Sequence, residues 1–270
     1  MQSATLCSGK EMPLLGLGTW PMTGGECVSA VAAALRLGYR HIDTAVGYHN
    51  HKDVGRGLRD SGVERADVFV TTKIMDDRLR HDDVLRDCDQ SLRDLGIDHI
   101  DLLLIHWPNR EIPLGETLRT FRRLLDDGRI RHAGVSNFTV RRLGEAIAAG
   151  EVPIAVNQVE YHPYLNQQEL LDCCTANDVV LTAYSPLARG QITDDEVLVA
   201  ISRRYGKSPL QVALRWMLQK SIVVIPKASS EAHLRANMDI FGWELSAEEM
   251  TRIDAIPKRV RLIESPLLEP

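Results

Sequence analysis

The chain has 270 residues, of which 44% are hydrophobic, so it is long enough to bury a substantial core. Its formal net charge of -5 excludes the basic surface that nucleic-acid phosphates require, and we expect no nucleic-acid partner. No stretch approaches the roughly 18 apolar residues of a membrane span, and the first residues lack the basic and apolar regions of a signal peptide. We therefore expect a cytoplasmic protein with no membrane partner.

Five cysteines are present, and their odd number prevents complete pairing within the chain. None has the spacing of a CxxC motif or a Cys/His metal site, which favours free thiols and no bound metal. The adjacent Cys173 and Cys174 could form a strained vicinal disulfide, but two small residues on one helix are the favoured interpretation.

Short apolar runs recur along the chain and predict eight β-strands. In chain order they are LLGLG (14–18), RHID (40–43), VFVTTK (68–73), HIDLLLIHW (99–107), HAGVSNF (132–138), PIAVNQVEY (153–161), VVLTAYS (179–185) and SIVVIPK (221–227). Amphipathic segments with helical spacing lie between them, for example at 29–38, 82–96 and 114–129. This alternation of strand and helix is typical of parallel βαβ units.

Eight such units in about 250 residues favour an α/β fold of the closed (β/α)8 TIM-barrel type. An open doubly wound sheet is the alternative, but that fold usually carries a glycine-rich phosphate loop after its first strand. Here Gly16 and Gly18 are followed by Pro21 where the third glycine would stand, so the dinucleotide fingerprint is absent. We therefore predict one barrel domain over residues 1–270.

Two additions to the barrel are predicted. The segment ATLCSGKEMPLLG, with Ser8, Gly9 and Lys10 between apolar residues, is typical of a β-hairpin that could close the bottom of the barrel. Residues 193–220 carry signals for two helices, because Ser208 and Pro209 restart the helical pattern. We expect an extra helix before the seventh barrel helix.

Polar residues end every predicted strand after the first. In a parallel barrel the carboxyl ends of the strands form the functional face, so these side chains would converge on one site. They are Asp43, Lys73, His106, Ser136, Asn137, Gln158, Tyr184 and Lys227.

Each of these residues also has a structural explanation. Asp43 could cap the next helix, and Lys73 could extend along the surface. His106 could be a core histidine, and Asn137 could be the N-cap of a helix that begins near Thr139. Because these explanations are independent of one another, all of them are not expected to hold at once. A single shared site is therefore the favoured interpretation.

Tyr48 follows the second strand in the loop of HIDTAVGYHN. A phenol with a pKa of about 10 is a weak acid at neutral pH, but a neighbouring ammonium lowers that pKa. Lys73 would supply the ammonium, Asp43 would hold it, and His106 would orient a carbonyl oxygen. The sequence therefore predicts a metal-free site for carbonyl reduction with Tyr48 as the proton donor.

A metal hydrolase on the same barrel is a further alternative. His49 and His51 are the nearest approach to a ligand pair, but in an extended segment they would point to opposite sides. No acidic bridging residue accompanies them, so this alternative is not favoured.

Motifs over essentially the whole chain resemble those of the aldo-keto reductases, in the same order. They are GYRHIDTAVGYHN (38–50), TTK (71–73), LLLIHWP (102–108), GVSNF (134–138), NQVEYHP (157–163), AYSPLARG (183–190) and VIPK (224–227). The similarity is greatest to the prokaryotic branch that includes the 2,5-diketo-D-gluconate reductases, and the ending RVRLIESPLLEP resembles the type B enzyme.

This resemblance implies a catalytic tetrad of Asp43, Tyr48, Lys73 and His106. It also implies an NADPH cofactor, with NADH as an alternative, extended across the mouth of the barrel. The cofactor-binding residues it implies are Gly18, Thr19, Trp20, Asp43, Ser136, Asn137, Gln158, Tyr184, Ser185, Leu187, Lys227, Ala228, Ser229, Ser230, His233 and Asn237.

Within that set, the resemblance assigns the nicotinamide carboxamide to Ser136, Asn137 and Gln158 and the nicotinamide ring to Tyr184. Lys227 would meet the phosphate of the adenosine half. The substrate pocket would be lined by Trp20, Tyr48, Met75, His106 and Trp107. Met75 stands where the family commonly has an aromatic residue.

The segment KASSEAHLRAN departs from the usual pattern of the family. Ala228 replaces the usual serine, His233 the usual arginine and Ala236 the usual glutamate. A neutral histidine is a weaker phosphate partner than a bidentate arginine, and Arg235 would lie on another face of the helix.

NADPH nevertheless remains the favoured cofactor, because Lys227, Ser229 and Ser230 are still available. Use of NADH would be consistent with the loss of the arginine.

The leading hypothesis is an NAD(P)H-dependent reductase of aldehydes and ketones, with 2,5-diketo-gluconate, methylglyoxal or β-keto esters as candidate substrates. A nicotinamide-binding redox-sensing or regulatory subunit is the alternative, but no extended arm or long insertion offers it an interaction surface. The family resemblance implies a monomer, and the loops together with residues 258–270 would set the substrate range.

Overall fold

The structure is a computed structural model and describes residues 2–265 and residue 267. Eight parallel strands pair in sequential order in one sheet. They are β3 (Leu17–Gly18), β4 (His41–Asp43), β5 (Phe69–Ile74), β6 (Ile100–Ile105), β7 (Ile130–Ser136), β8 (Ile154–Glu160), β9 (Val180–Tyr184) and β10 (Val223–Val224). The predicted number and order of strands are confirmed.

The sheet closes on itself between its two outermost strands. A parallel bridge joins Leu15 to Val224, and the Val224 amide donates to the Leu14 carbonyl at 2.8 Å. The closed (β/α)8 barrel is therefore confirmed, and the open doubly wound alternative is wrong. The part of the prediction that falls on Met1, Pro266 and residues 268–270 lies outside the described residues.

The last predicted strand, 221–227, is much shorter in the structure. β10 ends at Val224, and Pro226 has no amide hydrogen to continue the ladder. Its carbonyl still accepts from the Gly18 amide at 3.3 Å, so the segment remains beside β3. Lys227 therefore leaves the barrel in an irregular loop.

Helices surround the barrel, with apolar faces packed on the strands. They are α1 (Gly24–Leu37), α2 (His51–Ser61), α3 (His81–Leu95), α4 (Leu114–Asp126), α5 (Val140–Ala149), α6 (Gln168–Ala176), α7 (Glu196–Tyr205), α8 (Pro209–Gln219), α9 (Glu231–Met238) and α10 (Ala247–Asp254). The predicted helix at 29–38 begins five residues earlier, at Gly24, because its polar first turn does not show helical periodicity.

The extra helix is also confirmed, since both α7 and α8 lie between β9 and β10. Ser208 and Gln211 form a capping box at the start of α8, with Pro209 at its first position. α10 follows the barrel and was not predicted.

An N-terminal hairpin covers the bottom of the barrel, as predicted. Its strands are β1 (Ser3–Thr5) and β2 (Glu11–Pro13), and Gly9 turns between them with a φ of 79°. The hydroxyl of Ser8 lies 2.8 Å from Nε2 of His132, near the start of β7. Met12 is completely buried, which fixes the hairpin against the barrel.

All five cysteines are free thiols. Cys173 and Cys174 lie on α6, so the helical interpretation is confirmed and the vicinal disulfide is wrong. Within residues 2–265 and 267, no three histidine, cysteine or acidic side chains form a group that could hold a metal ion. Over the same residues, none of the helices has the length and apolar character to span a membrane.

Candidate active site

A cavity of about 620 Å³ opens at the carboxyl ends of the strands. Most of the residues predicted from the strand ends and the nearby loops line it. They are Gly18, Thr19, Trp20, Asp43, Tyr48, Met75, His106, Trp107, Ser136, Asn137, Gln158, Tyr184, Ser185, Leu187 and Lys227. The converging strand ends of the barrel therefore bring the predicted catalytic, cofactor and substrate residues to one place.

Asp43 and Lys73 form a buried ion pair at the floor of the cavity. Lys73 Nζ donates to Asp43 Oδ1 at 2.5 Å and to the Thr44 carbonyl at 2.8 Å. The second carboxylate oxygen accepts from the Gln158 amide at 2.7 Å. The alternatives of a helix-capping Asp43 and a surface-exposed Lys73 are therefore wrong.

Burial acts against charge on both partners of this pair. It raises the pKa of Asp43 above its ordinary value, although Lys73 and Gln158 oppose that shift. It also disfavours the Lys73 ammonium, but attraction to Asp43 and Tyr48 outweighs this effect and raises the pKa of Lys73. Lys73 is therefore a cation at neutral pH.

Tyr48 lies beside this ion pair and lines the cavity. It belongs to a short 3-10 turn, Val46–Tyr48, and Lys73 Nζ lies 3.4 Å from its hydroxyl. Burial raises the pKa of Tyr48 and Lys73 lowers it, but burial dominates and the pKa lies above its ordinary value. The expectation of a net lowering is therefore wrong, because the phenol is more deeply enclosed than its loop position suggested.

His106 faces Tyr48 across the cavity floor. The two rings are 5.7 Å apart between centroids and nearly perpendicular, at 76°. Burial and the charge of Lys73 lower the pKa of His106 to about 3, so the imidazole is neutral at neutral pH. Its Nδ1 is enclosed and has no hydrogen-bond partner among the described residues, which leaves Nε2 as the nitrogen that can contact a substrate.

A row of hydrogen-bonding side chains follows from β7 to β9. The Tyr184 hydroxyl donates to Asn137 Oδ1 at 2.8 Å, and Asn137 Nδ2 donates to the His106 carbonyl at 3.0 Å. Asn137 has a left-handed φ of 63°, and it is Thr139 whose hydroxyl caps α5. The alternative in which Asn137 is the N-cap is therefore wrong.

Loop 185–190 borders the cavity beyond Tyr184 and contains three non-glycine residues with positive φ: Ser185, Ala188 and Arg189. This backbone places Arg189 at the cavity, where its guanidinium lies over the Trp20 ring. Arg189 is not among the residues predicted from the sequence. The glycine that follows it in SPLARG indicates a tight turn, and a cation in such a turn beside a predicted site could have marked it.

Lys227 lies at the far end of the cavity, where Nζ is 3.2 Å from Glu26 Oε1 and 3.3 Å from Ser229 Oγ. The other predicted residues of this segment, Ala228, Ser229, Ser230, His233 and Asn237, are not among the lining residues. Ser230 caps α9 by accepting from the His233 amide, so its oxygen is already engaged. The Arg235 side chain pairs with Glu231, which confirms that it points away from His233.

Much of the cavity wall is apolar. Trp20, Met75 and Trp107 contribute to it, and Ile263 from the C-terminal segment joins them. Gly47 packs closely on Met75, since a Cβ at residue 47 would lie 2.5 Å from the Met75 sulfur. The C-terminal residues 258–270 were expected to influence the substrate range, but Ile263 was not singled out within them.

His49 and His51 do not form a pair. His49 is exposed, with a left-handed φ of 54°, whereas His51 is buried with Nε2 2.8 Å from the Thr72 hydroxyl. The two side chains therefore lie in different environments.

Comparison with known proteins decides the family. The model of the aldo/keto reductase family matches residues 14–258. The chain belongs to the aldo-keto reductase family. The glyoxal reductase of Bacillus subtilis (strain 168) is 44% identical over 262 residues, which cover 97% of this chain and 95% of that protein.

Solved structures agree with this assignment. A protein classed provisionally as 2,5-diketo-D-gluconic acid reductase B is 41% identical, with a TM-score of 0.96 over 100% of this chain and 97% of that one. An aldo-keto reductase complexed with NADPH is 33% identical, with a TM-score of 0.92 over 97% of this chain and 90% of that one. As a member of this family, the chain is an oxidoreductase that reduces carbonyl compounds.

The lining of the cavity fits a reduced nicotinamide dinucleotide. Gln158 uses its amide nitrogen on Asp43, which leaves its carbonyl oxygen for a carboxamide N–H. The half-buried Tyr184 ring offers a flat surface, and Arg189 and Lys227 supply two cations for phosphate groups along the same cavity. Amide, ring and phosphate partners therefore occur together in this aldo-keto reductase.

Proposed function

We propose that this aldo-keto reductase reduces small polar dicarbonyl compounds, such as methylglyoxal or diketo sugar acids, with Tyr48, Lys73 and His106 as its catalytic residues and Asp43 as the residue that positions Lys73. The observation that carries the proposal is the contact of one buried ammonium, that of Lys73, with both the Asp43 carboxylate and the Tyr48 hydroxyl. This arrangement places the fixed positive charge of Lys73 next to the Tyr48 hydroxyl, a proton donor that lines the cavity.

Tyr48 acts as the general acid. Its raised pKa keeps the phenol protonated at neutral pH, so a proton is available for the oxygen of a bound carbonyl compound. When the proton leaves, the phenolate forms beside the Lys73 ammonium and is stabilised there. Lys73 therefore matters most after proton transfer, when the charge on Tyr48 has developed.

Asp43 and Gln158 hold Lys73 in this position. The carboxylate is fixed from both sides, by Lys73 on Oδ1 and by Gln158 on Oδ2. Since Lys73 has no freedom to move towards solvent, its distance to the Tyr48 oxygen is set by the barrel itself. Asp43 is thus a positioning residue in this scheme, and Lys73 contacts the reacting phenol.

His106 orients the carbonyl group. Its neutral ring can donate one N–H from Nε2 to the carbonyl oxygen without adding a charge to the site. The oxygen would then lie between the Tyr48 hydroxyl and the imidazole, with two hydrogen bonds that favour a single orientation.

Ser136, Asn137, Gln158 and Tyr184 would hold the nicotinamide end of the cofactor. Arg189 and Lys227 would hold its phosphates, and Gly18, Thr19, Trp20, Ser185 and Leu187 would border it. The residues beyond Lys227, which are Ala228, Ser229, Ser230, His233 and Asn237, would surround its adenosine end. The bound cofactor supplies the hydride that the carbonyl carbon accepts.

The names of two relatives support the choice of dicarbonyl substrates. One is a glyoxal reductase and another is classed provisionally as a diketogluconic acid reductase. The cavity combines apolar walls at Trp20, Met75 and Trp107 with donors at Tyr48 and His106, a pattern suited to a short chain with adjacent carbonyl groups. We further propose a cytoplasmic monomer that works as one domain over residues 1–270.

The test is an assay of methylglyoxal, 2,5-diketo-gluconate and a β-keto ester with NADPH and with NADH, in wild type and Tyr48→Phe. Loss of the phenol proton should lower kcat by about a hundredfold or more and leave cofactor affinity within about twofold. Fluorescence titration measures that affinity separately. Wild-type turnover in Tyr48→Phe would remove Tyr48 from its role, and no turnover of any dicarbonyl by wild type would reject the substrate class.

A further inference from the structure

We propose that Glu160 is a positioning residue for substrate selection, because its buried carboxylate holds the C-terminal segment 260–263 in place as a wall of the substrate pocket. The effect of Glu160 on substrate selection rests on the proposed function. The attachment of the segment is a separate claim with its own measurement.

Glu160 ends β8 and has no exposed surface. Its Oε1 accepts from the Leu262 amide at 2.7 Å, and its Oε2 accepts from the Ile263 amide at 3.0 Å. Nε2 of His162, two residues along the chain, lies 3.0 Å from Oε1. A buried carboxylate is therefore satisfied by two successive backbone amides that come from a segment about one hundred residues away in sequence.

The charge of Glu160 is maintained in this setting. Burial raises the pKa of Glu160, but hydrogen bonds from His162 and from the two amides lower it more strongly, so that the pKa falls below its ordinary value. Hydrogen bonds to an ionised acceptor are stronger than those between neutral groups. The carboxylate therefore holds the segment more firmly than a neutral amide side chain could.

The segment has further attachments before it reaches Glu160. Asp254, at the end of α10, accepts from Asn166, Trp216 and Lys220. The Val260 amide then donates to the Tyr164 carbonyl at 3.0 Å. In the described part of the chain, Glu160 provides the last attachment to the barrel before the chain passes the cavity at Ile263.

Ile263 is the residue through which this attachment reaches the substrate. It lines the cavity together with Tyr48 and Trp107, and its own amide donates to Glu160 Oε2. If the two amides were released, Ile263 could leave the cavity without disturbing Tyr48, Lys73 or His106. The effect should therefore fall on substrates large enough to contact Ile263 and not on proton transfer.

The first measurement concerns attachment alone. Glu160→Gln should speed hydrogen exchange of the 262 and 263 amides by about tenfold or more, since a charged acceptor is replaced by a neutral one. It should also speed tryptic cleavage after Arg259 and Arg261. Asp101→Asn is the matched control, because Asp101 is a partly buried carboxylate that accepts from Arg65 and the Val70 amide on another part of the barrel.

A second variant avoids any change in the barrel. Leu262→Pro removes the amide that donates to Glu160 Oε1, whereas Leu262→Ala keeps that amide and removes the side chain. Like Glu160→Gln, Leu262→Pro should speed exchange of the 263 amide and tryptic cleavage after Arg259, whereas Leu262→Ala should resemble wild type in hydrogen exchange at 263. The comparison remains informative even if Glu160→Gln does not fold.

The second measurement is the ratio of kcat/KM for an aromatic aldehyde, nitrobenzaldehyde, to that for methylglyoxal. In Glu160→Gln and Leu262→Pro this ratio should fall by about tenfold, through KM, with kcat for methylglyoxal within about twofold. Ile263→Ala should lower the ratio without changing exchange at the amides.

Unchanged exchange and proteolysis in both Glu160→Gln and Leu262→Pro would overturn the attachment, whatever the kinetics. Faster exchange with an unchanged ratio would overturn the role in substrate selection. Absence of carbonyl reduction in wild type would reject the proposed function, while the exchange data would still decide the attachment.

Discussion

The guanidinium of Arg189 lies over the indole of Trp20, with Cζ 5.5 Å from the ring centroid. The two residues come from the loops after β9 and β3 and both line the cavity. Trp20 is 51% exposed, so the contact is worth only about 0.5–1 kcal/mol. Arg189 is therefore held weakly enough to turn to a stronger partner, and a cofactor phosphate is such a partner.

Replacing Arg189 with alanine should weaken NADPH binding by about tenfold, or about 1.4 kcal/mol, because one charge-assisted contact is lost. The rate of the chemical step should change little, since Arg189 does not contact Tyr48, Lys73 or His106. Fluorescence titration and single-turnover kinetics separate the two quantities. Arg36→Ala, on the outer helix α1, is the control for loss of a cation. Equal NADPH affinity in wild type and Arg189→Ala would place the phosphates elsewhere.

The ion pair of Asp43 and Lys73 should matter for stability as well as for turnover. Lys73→Met leaves the Asp43 carboxylate buried without its cation, which should lower the free energy of unfolding by about 3–5 kcal/mol. Adding Asp43→Asn should restore much of that loss, because the uncompensated charge is removed. Neither variant should reduce carbonyl compounds at an appreciable rate.

Urea denaturation measures these stabilities, and Arg56→Met is the matched control. Arg56 pairs with Asp60 at 3.4 Å on the exposed face of α2, where such a pair contributes about 0.5 kcal/mol or less. If Lys73→Met were no more destabilising than Arg56→Met, the buried pair would not be held as tightly as its 2.5 Å contact indicates.

The convergence of Asp43, Lys73, His106 and Gln158 could be predicted from sequence, because a parallel barrel brings all strand ends to one face. Each of these residues directly ends or follows an apolar run, so its place depends on topology and not on fine geometry. The same reasoning could not give the pKa of Tyr48. The balance between burial and the Lys73 charge depends on how deeply the loop encloses the phenol.

Residues outside the strand ends were harder to predict for a different reason. Arg189 reaches the cavity only because its own backbone and that of Ala188 are left-handed, and a sequence pattern does not specify such a conformation at non-glycine residues. Ile263 reaches it through contacts with Glu160, which no local periodicity connects to the C-terminal segment. Glu160, near the end of the run PIAVNQVEY, and the expected role of residues 258–270 in the substrate range were the available signals.

Stability should fall in mild acid because three histidines are buried in neutral form. Burial lowers the pKa of His41 to about 3, that of His51 to about 4 and that of His106 to about 3, from a value of 6.5. Below pH 6.5 the unfolded chain binds protons that the folded chain does not. The free energy of unfolding should therefore decrease as the pH falls from about 6.5 towards these lowered values.

Urea unfolding of wild type and His41→Gln over this pH range tests the assignment. Glutamine does not titrate but can still donate to the Thr71 hydroxyl, which lies 3.1 Å from His41 Nε2. In the variant, the free energy of unfolding should depend less steeply on pH, by about 1.4 kcal/mol per pH unit, because about one proton fewer is taken up on unfolding. His49→Gln, at an exposed position, serves as the control. Equal slopes in wild type and His41→Gln would mean that His41 is not buried in neutral form.

His233 offers a test of cofactor preference at the far end of the cavity. It is exposed in the first turn of α9, close in sequence to Lys227, whose charge is shared with Glu26. An arginine at 233 would add a bidentate donor for the 2′-phosphate that only NADPH carries. His233→Arg should therefore tighten NADPH by about tenfold and leave NADH affinity within about twofold, as measured by fluorescence titration of each cofactor.

The chain provides a matched control for this change. Arg235 lies two residues further along α9, and its side chain pairs with Glu231 at 2.7 Å. Because that arginine points away from His233, Arg235→Ala should change the affinity for neither cofactor. A His233→Arg variant that tightened both cofactors equally would act through general charge, and His233 would then lie away from the 2′-phosphate. A loss of NADPH affinity in Arg235→Ala would instead assign the phosphate to Arg235.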